Sequence, residues 1–476
     1  MIADFRDKRI TVMGLGSFGG GIGVVKFLVE RGAVVTVTDL KPAANLCEGL
    51  RAIGDFEKVA LHLGGHDERD FRDADLVVVS PAVPKESRYL QVARDAGVAV
   101  SSEMNLFWER NQGQTICVTG SNGKSTTSAL IYSLLANAAE SSEVQTGPHI
   151  WLGGNIGHSL LPNVEQIAPA DWVVLELSSF QLEDLAVLKP NPHVAVVTNF
   201  TPNHLDRHGS VDVYRTAKQN LLRWQTADRF AVQNQCDPDV ASWRTNARQF
   251  WFGQEDEGRQ GLFAVGFDAY RRRALFRYGM REQVLPLGNW LRLPGAHNFQ
   301  NALAAACTTM ILGQKPLDIE AGLTKFEGLP HRLQFVAETA GRKFYNDSKA
   351  TTPEATLLAL EAFRAPLILL AGGYDKGIDL AEFVRRLVAR RVKAIGLLGQ
   401  TGEKLKELLR QADPKGQVLA KVHVTFDAAF RWAAEQSVTG DIVLLSPGCA
   451  SYDWFSNYEA RGDEFSRLAR NWQPRP

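Results

Sequence analysis

The sequence predicts an α/β protein of about three domains, and three observations support that prediction. The chain has 476 residues, and a globular domain averages roughly 150 residues. Short runs of β-branched and aliphatic residues recur along the chain and are followed by turn-forming residues such as glycine, serine, aspartate or asparagine. Amphipathic stretches separate these runs, and strands that alternate with helices are typical of parallel sheets covered by helices.

The predicted strands are continuous apolar runs, which is the pattern expected where a strand is buried on both faces of its sheet. They cover residues 9–13, 33–38, 75–79, 115–118, 172–175, 194–197, 367–370, 394–398 and 442–445. The predicted helices between them include residues 24–31, 127–136, 380–390 and 428–435.

Two boundaries divide the chain into its domains. One is Gln112-Gly113-Gln114, just ahead of a predicted strand, and the other is near Gly328-Leu329-Pro330, after a long helical stretch. The predicted domains are 1–113, 114–330 and 331–476. Residues 247–293 are richer in aromatic residues and arginine than their surroundings, and we expect them to form a small antiparallel excursion.

The composition excludes several classes of protein. Lysine plus arginine number 53 and aspartate plus glutamate 53, so the formal net charge is zero and nothing draws the chain to nucleic acid or to an anionic membrane. Its five cysteines include no Cys-x-x-Cys pair, which argues against a disulfide scaffold and a zinc cluster. The first residues do not resemble a signal peptide, and no apolar run reaches the roughly 18 residues of a membrane span. We expect a cytoplasmic protein without stable membrane association.

The strongest motif is the run Gly120-Ser121-Asn122-Gly123-Lys124-Ser125-Thr126, which follows a predicted strand and opens a predicted helix. Glycines let backbone N–H groups crowd around phosphate oxygens, and the helix N-terminus adds a positive dipole end. Lys124 suits the outer phosphates of ATP, and the Ser125 hydroxyl suits Mg²⁺. Val118 stands where the strict pattern has a glycine, so this run is a shortened relative of that pattern. An ordinary strand–turn–helix connection is the structural alternative.

A second glycine pattern, Gly14-x-Gly16-x-x-Gly19, follows the first predicted strand, and Asp39 ends the next one. This arrangement is typical of a dinucleotide site with an acid for the ribose. Such a site needs only a ligand with a diphosphate and a ribose, bound at a helix N-terminus. NAD, another nucleotide diphosphate and a purely structural turn therefore all remain open for this pattern.

Two further strands are followed by residues that suit a metal. Glu176 comes directly after the strand at 172–175, and an acid at the end of a strand beside a phosphate loop is a usual Mg²⁺ position. His204 lies just past the strand at 194–197 and would hold a second metal or orient a substrate. Asp206 and His208 follow it and strengthen that hypothesis, although their spacing is not that of a zinc motif. A structural histidine is the alternative.

These motifs, together with others along the chain, resemble those of the Mur ligases. The segments that carry the resemblance are residues 119–126, 153–157, 176–182, 214–218, 297–301, 330–332, 346–351 and 446–455. The runs Ser178-Ser179-Phe180-Gln181-Leu182 and Asn346-Asp347-Ser348-Lys349-Ala350-Thr351 are most similar to those of the members that add D-glutamate. Single motifs are shared with folylpolyglutamate synthetases, but the full series is specific and spans nearly the whole chain.

The resemblance implies three α/β domains: a Rossmann-like N-terminal domain for the UDP part of the substrate, a P-loop ATPase-like central domain for ATP, and a Rossmann-like C-terminal domain for the amino acid. The implied reaction joins D-glutamate to UDP-N-acetylmuramoyl-L-alanine (UDP-MurNAc-L-Ala) in peptidoglycan precursor synthesis, with ATP and Mg²⁺ and through an acyl phosphate. The Gly14 pattern is then a UDP diphosphate site that requires no nicotinamide. We expect a monomer without a nucleic acid partner.

The resemblance also implies roles for individual residues, with Lys124, Lys218 and His204 as the catalytic set. ATP would be bound by Gly120, Ser121, Asn122, Gly123, Lys124, Ser125, Thr126, Asn298, Arg332 and Asp347. Mg²⁺ would be held by Ser125, Glu176, His204 and Lys218, the last carbamylated by CO₂. The UDP-sugar would contact Gly14, Gly16, Asp39, Ser80, Asn155, Ser178 and Gln181, and D-glutamate would contact Lys349, Thr351, Lys376, Ser451 and Tyr458. An unmodified lysine at 218 and a solvated surface lysine at 376 are the alternatives.

Two residues depart from what the resemblance leads us to expect. Asn203 stands where we expect aspartate, and Tyr458 stands where we expect phenylalanine. If that acid helps at the metal, Asn203 must do so through a neutral carbonyl or not at all, and Tyr458 adds a hydroxyl group to the D-glutamate pocket.

Other functions remain open on the sequence alone. A Mur ligase with another acceptor, such as L-alanine, meso-diaminopimelate or L-lysine, is the nearest. A folate ligase does not account for residues 1–113, and an NAD-dependent oxidoreductase leaves the phosphate loop without a use. A nucleotide-sensing protein without turnover would not need Lys124, Glu176 and Lys218.

Overall fold

The computed structural model describes residues 4–15, 20–54, 59–140, 147–265, 273–286 and 295–474. The density of internal contacts divides the chain into two compact units, Met1–Gly288 with Gln300–Leu323, and Asn289–Phe299 with Thr324–Pro476. Two sheets lie in the first unit and one in the second. The predicted α/β fold is confirmed and contains three sheets, and the domain limits 1–113, 114–330 and 331–476 stay a prediction.

The first sheet is fully parallel, with the strand order β3-β2-β1-β4-β5. Its strands are β1 (Arg9–Met13), β2 (Val34–Asp39), β3 (Val59–Leu63), β4 (Leu76–Val79) and β5 (Ala99–Ser102), and its helices are α1 (Gly20–Glu30), α2 (Cys47–Ile53), α3 (Glu68–Arg72), α4 (Arg88–Asp95) and α5 (Glu103–Arg110). The chain reverses its direction of winding between β1 and β4, and ligands of such sheets bind at the carboxyl ends of the strands on either side of that point.

The second sheet has the order β14-β13-β12-β11-β10-β9-β6-β8-β7. Its strands are β6 (Gln114–Thr119), β7 (Ile150–Gly154), β8 (Trp172–Glu176), β9 (Val194–Val197), β10 (Phe230–Asn234), β11 (Arg248–Gly253), β12 (Gly261–Val265), β13 (Arg273–Tyr278) and β14 (Arg281–Pro286). The helices along this part of the chain are α6 (Lys124–Glu140), α7 (Ser179–Leu185), α8 (Leu205–His208), α9 (Val211–Arg223), α10 (Pro238–Ser242), α11 (Ala296–Ile311) and α12 (Pro316–Lys325).

The prediction of a separate antiparallel excursion at 247–293 is wrong in part. β11 pairs in parallel with β10, and β12 pairs in parallel with β11, so both extend the main sheet. Only the β12–β13 and β13–β14 pairs are antiparallel. Of the aromatic residues that suggested an excursion, Phe263 and Phe276 are buried in the core of the longer sheet, and Trp251 and Tyr278 are half-buried. Phe267 and Tyr270, which also suggested it, lie outside the described residues.

The third sheet has the order β15-β16-β20-β17-β18-β19, with β15 antiparallel to β16 and the other pairs parallel. Its strands are β15 (Gln334–Thr339), β16 (Arg342–Asn346), β17 (Leu367–Gly372), β18 (Ala394–Leu398), β19 (Leu419–Val422) and β20 (Ile442–Leu445), and its helices are α13 (Pro353–Glu361), α14 (Ala381–Ala389), α15 (Gly402–Ala412), α16 (Phe426–Glu435) and α17 (Tyr458–Asn471). None of the helices in the described part of the chain has the length and apolar character that a membrane span requires.

Candidate nucleotide-binding and active site

The predicted phosphate loop connects β6 to the first turn of α6. Gly120 and Gly123 have φ values of 148° and 82°, a region that favours glycine. A Cβ atom at position 123 would lie only 2.3 Å from Asn301 Oδ1, so the close approach of α11 also requires glycine. Lys124 Nζ donates to the carbonyl oxygens of Gly120 at 3.0 Å and Ser121 at 2.9 Å. The loop therefore combines a helix N-terminus with a fixed cation, as an anion site requires.

Residues that follow β9 fix the phosphate loop through hydrogen bonds. Thr198 Oγ1 donates to the Asn122 carbonyl at 2.6 Å, and the Asn199 side chain bonds both the N–H and the carbonyl of Asn122 at 2.8 and 3.0 Å. Ser121 Oγ donates to the Thr201 carbonyl at 2.8 Å. The sequence reasoning gave Thr198 and Asn199 no role. Their position just past a strand that neighbours β6 was the available signal.

Glu176 ends β8 with a side chain suited to a cation. The residue is only 2% exposed, and its Oε1 accepts a hydrogen bond from Asn155 Nδ2 at 3.0 Å. Its Oε2 is buried and has no hydrogen-bond partner in the described structure. An unpaired buried carboxylate oxygen is costly, and a bound cation would remove that cost. Glu176 thus fits the Mg²⁺ role that the sequence predicts.

A metal ion at this position would need ligands other than carboxylate and imidazole groups. Within the described ranges no group of three or more histidine, cysteine, aspartate or glutamate side chains is placed to hold a metal ion. Ser125, the second residue of α6, is buried. A cation would be held by Glu176, a hydroxyl such as that of Ser125, and oxygens from a nucleotide, which is the usual composition of a Mg²⁺ site in nucleotide enzymes.

Lys218 lies on α9 and reaches the same loop. It is 1% exposed, and its Nζ donates to the Gly120 carbonyl at 2.7 Å. Burial is the main cause that lowers the pKa of Lys218 well below its usual range, and the neighbouring Lys124 ammonium lowers it further. The Glu176 carboxylate opposes this shift only in part. The structure therefore brings Lys218, Lys124, Glu176 and Gly120 into one cluster, in which burial and a like charge both disfavour the protonated form of Lys218.

His204 precedes α8 and differs sharply from its neighbour His208. His204 is exposed, adopts a left-handed φ of 52°, and packs with its ring 5.3 Å from that of Phe180. His208 is buried, bonds Ser179 Oγ at 2.9 Å through Nε2, and stacks on Phe180 at 5.0 Å. His208 is therefore a structural residue, and its presence does not support a metal site as the sequence reasoning supposed. Asn203 Oδ1 accepts the backbone N–H of His204 at 2.8 Å.

The residues predicted for a nucleotide diphosphate meet at the carboxyl end of the first sheet. Gly14 has a φ of 87°, and a Cβ atom there would lie 3.0 Å from Ser80 Cβ, so the turns after β1 and β4 pack against each other. Asp39 Oδ2 accepts the backbone N–H of Leu15 at 3.1 Å, which holds the acid beside the same turn. Gly16 lies outside the described residues.

Ser178 and Gln181 form the capping box of α7. Ser178 Oγ accepts the backbone N–H of Gln181 at 3.2 Å, and Gln181 Oε1 accepts the backbone N–H of Ser178 at 3.0 Å. Both side chains thus satisfy the first turn of a helix. Their predicted contact with the UDP-sugar stays a prediction.

The second unit carries a cluster around Asp347. This residue is 5% exposed, and its two carboxyl oxygens accept from Ser446 Oγ at 2.7 Å and from the backbone N–H of Leu333 at 3.1 Å. Burial raises the pKa of Asp347 to about 7, although these hydrogen bonds and the Arg332 guanidinium oppose the shift. Asn298 is buried at the start of α11.

The residues predicted for D-glutamate also lie in the second unit. Lys349 Nζ stands 5.6 Å from the centre of the Tyr458 ring. Thr351 and Lys376 line the same small cleft. Ser451 is buried, and its carbonyl oxygen accepts the backbone N–H groups of Trp454 at 3.2 Å and Phe455 at 2.9 Å. The structure therefore groups four of these residues in two neighbourhoods, the Lys349–Tyr458 pair and the Thr351–Lys376 cleft.

A buried arginine that sequence reasoning missed connects two of these segments. Arg461 is 2% exposed, and it donates to Ser348 Oγ at 2.9 Å, to the Ser348 carbonyl at 2.9 Å and to the Cys449 carbonyl at 3.1 Å. Burial lowers its pKa to about 10. Its place one helical turn after Tyr458 on α17 was the signal that could have found it.

Comparisons with known families match most of the chain. The model of the Mur ligase MurD-like N-terminal domain matches residues 8–102, that of the Mur ligase middle domain matches 118–309, and that of the Mur ligase glutamate ligase domain matches 331–449.

Individual proteins agree with this family match. A UDP-N-acetylmuramoylalanine–D-glutamate ligase of Acidobacterium capsulatum is 39% identical over 98% of this chain and 96% of its own length, and one of Pelotomaculum thermopropionicum is 37% identical over 98% of each. The structure of a UDP-N-acetylmuramate-alanine ligase from Thermotoga maritima superposes with a TM-score of 0.61 at 19% identity, covering 97% of this chain and 99% of that one. A MurF ligase from Thermotoga maritima, solved with ADP, gives 0.55 at 17% identity, covering 98% and 96%.

Proposed function

The chain belongs to the Mur ligase family, and we propose that it joins D-glutamate to the L-alanine carboxylate of UDP-MurNAc-L-Ala. The observation that carries this proposal is the identity of 37–39%, over 98% of the chain, to relatives named UDP-N-acetylmuramoylalanine–D-glutamate ligase. The enzyme is an ATP-dependent ligase of a family that uses ATP and Mg²⁺. We place its reaction in peptidoglycan precursor synthesis in the cytoplasm.

The chemical problem is that a carboxylate does not react with an amine at neutral pH. In the proposed reaction a carboxylate oxygen of the L-alanine bonds to the γ-phosphorus of ATP as the bond to ADP breaks, giving an acyl phosphate. The D-glutamate amine then attacks the carbonyl carbon, the carbon–oxygen bond to phosphate breaks, and the amine proton is lost to solvent. Charge on the transferred phosphoryl group is the main barrier, so fixed cations and N–H groups supply most of the acceleration.

The phosphate loop supplies these groups for ATP. We assign Gly120 to Gly123 and the first turn of α6 to the phosphate oxygens, and Lys124 to the outer phosphates. Support comes from the ammonium position over the Gly120 and Ser121 carbonyls. Asn298, Arg332 and Asp347 are assigned to the rest of the nucleotide by family resemblance.

Glu176 and Ser125 are the proposed protein ligands of the first Mg²⁺, which when bound would neutralise charge on the phosphates. The unpaired buried Oε2 of Glu176 supports this assignment. Asn155 holds the other carboxylate oxygen and so fixes the direction in which Oε2 points. Orienting contacts of this kind commonly affect metal affinity by about 10- to 100-fold.

Lys218 is proposed to react with CO₂, because its environment favours the nucleophilic neutral amine. The neutral amine nitrogen bonds to the carbon of CO₂ and releases one proton to solvent, so a neutral amine becomes an anionic carbamate. The burial of Lys218 and the lowering of its pKa support this step. The carbamate and His204 would then hold a second Mg²⁺.

The remaining assignments concern the two other substrates. Gly14, Asp39 and Ser80 lie together at the end of the first sheet, where a diphosphate and ribose would bind. We also assign Gly16, Asn155, Ser178 and Gln181 to the UDP-sugar. The cations Lys349 and Lys376 suit a dicarboxylate, and Thr351, Ser451 and Tyr458 complete the proposed D-glutamate set.

The acceptor assignment is tested by ADP release with UDP-MurNAc-L-Ala and ATP. D-Glutamate, L-alanine, meso-diaminopimelate and L-lysine are compared as acceptors, with L-glutamate as a matched control of chirality. Turnover with D-glutamate alone is the expected result. Turnover with another acceptor, or none with any of them, would contradict the proposal.

A further inference from the structure

Arg207 connects the loop after β4 to the segment that carries His204. It lies on α8, three residues after His204, and is partly buried. Its guanidinium donates to three successive carbonyl oxygens, those of Pro81 at 2.8 Å, Ala82 at 2.8 Å and Val83 at 3.0 Å. A planar fork with five donors suits such a row of acceptors, whereas the point charge of lysine does not.

These three carbonyls belong to the turn that positions Ser80. The backbone N–H of Val83 donates to the Ser80 carbonyl at 3.0 Å, and Ser80 in turn packs against Gly14. Lys85, slightly further on, pairs with Glu183 of α7 at 3.1 Å. Side-chain contacts thus connect the turn to α7 through Lys85 and to α8 through Arg207, which bonds the three residues that directly follow Ser80.

The same guanidinium also contacts the surroundings of His204. It lies 4.8 Å from the centre of the Phe180 ring, and the His204 ring packs 5.3 Å from that ring on the same α8 segment. Phe180 is itself fixed by stacking on the buried His208 at 5.0 Å. One side chain therefore contacts both the turn beside the proposed diphosphate site and the aromatic ring against which His204 rests.

We propose that Arg207 is a positioning residue that sets the nucleotide-sugar turn and His204 in one fixed geometry. Through these contacts it couples the binding of the UDP-sugar to the position of His204, the proposed ligand of a second Mg²⁺. This inference rests on the proposed function for its substrate, and it assigns Arg207 no contact with substrate. Three hydrogen bonds from a charged donor are strong enough for such a role, since each typically contributes more than a neutral one.

The test uses Arg207→Met, which keeps an apolar stem against Phe180, and Arg207→Lys, which keeps the charge. Arg244→Met is the matched control, because Arg244 is exposed and has no ion pair or hydrogen bond in the described structure. The expected result for Arg207→Met is a rise of at least about tenfold in KM for UDP-MurNAc-L-Ala. KM for ATP and D-glutamate stays unchanged, and the Mg²⁺ concentration for half-maximal rate rises in parallel with KM for the UDP-sugar. For Arg207→Lys, KM for the UDP-sugar and the Mg²⁺ requirement fall between those of Arg207→Met and the wild type.

Calorimetric binding of UDP keeps this inference separate from the proposed function. UDP binding needs no acceptor, so it is measurable even if D-glutamate proves to be the wrong one. Wild-type UDP affinity in Arg207→Met overturns the inference whatever the acceptor. A rise in KM for the UDP-sugar with an unchanged Mg²⁺ requirement also overturns the inference. So does a raised Mg²⁺ requirement with an unchanged KM for the UDP-sugar. A uniform loss for all three substrates with a lowered unfolding temperature would mark Arg207 as merely structural and would also overturn it.

Discussion

Replacing Asp347 by asparagine should change how the stability of the second unit depends on pH. Burial raises the pKa of Asp347 from 3.8 to about 7, so the folded chain holds a proton between these values that the unfolded chain has released. A group whose folded pKa is raised contributes stability that is fully present below the unfolded pKa and is lost as the pH rises through the folded one. The free energy of unfolding should therefore fall between about pH 4 and pH 7.

The size of this effect follows from the two pKa values. Each pH unit within the window changes the free energy of unfolding by about 1.4 kcal/mol. From 3.8 to about 7 the loss from this one group is at most about 4 kcal/mol. That is a large part of the roughly 5–15 kcal/mol that stabilises a typical domain.

The asparagine variant removes the titration with little change of shape. In Asp347→Asn the new amide oxygen would still accept the Leu333 N–H, and the amide nitrogen would donate to Ser446 Oγ. The Ser446 hydroxyl lies 3.1 Å from Thr356 Oγ1 and would turn its proton there. We expect the wild type and Asp347→Asn to be similarly stable near pH 4, and the variant to be the more stable by several kcal/mol near pH 8.

Urea unfolding read by pulsed thiol alkylation measures this unit separately. Cys449 is buried in the second unit, so its protection from alkylation reports the unfolding of that unit. Cys117 and Cys307 are buried in the first unit and serve as an internal control. Samples equilibrate at each pH and are labelled briefly at one common pH. If protection of Cys449 has the same pH dependence in both proteins, the burial argument for Asp347 is refuted.

Two further predictions concern the metal site. Lys218→Ala and Lys218→Arg should both lose more than about a hundredfold in kcat, and acetate should partly rescue the alanine variant; wild-type activity in Lys218→Arg would mean that an unmodified cation suffices. Glu176→Gln should raise the Mg²⁺ concentration for half-maximal rate by more than about tenfold, with a smaller rise in Asn155→Ala; an unchanged Mg²⁺ requirement in Glu176→Gln would remove Glu176 from the metal site.

Much of the sheet architecture was predictable because the buried central strands are continuous apolar runs. The strands that the prediction missed are largely of another kind. β3 and β19 lie at sheet edges, where the middle of β3 is exposed and β19 alternates between exposed and half-buried residues. Neither strand is a fully apolar run, because His62 interrupts β3 and Lys421 interrupts β19. β11 was assigned to an excursion because its aromatic residues were taken as a change of structure rather than as the core of a longer sheet.

The candidate site was predictable where one short segment carries the chemistry. The phosphate loop and Glu176 follow predicted strands directly, and their environment suits the roles predicted for them. Arg207 was not predictable, because the carbonyls that it binds lie more than 120 residues away in sequence. For Arg461 the only signal was its place one helical turn after Tyr458, since Ser348 lies 113 residues away. Their partners include main-chain carbonyls, which leave no signature in the identity of a residue.

The central claim is that a carboxylate is activated by phosphoryl transfer and then captured by D-glutamate. It is tested most directly by UDP-MurNAc-L-Ala labelled with ¹⁸O in the L-alanine carboxylate, incubated with ATP, Mg²⁺ and either D- or L-glutamate. With D-glutamate, and not with L-glutamate, the inorganic phosphate should carry one labelled oxygen for each amide formed. The reason is that the bond between the carbonyl carbon and the labelled oxygen breaks in the second step. Unlabelled phosphate, or labelled phosphate that forms equally with both enantiomers, would contradict the account.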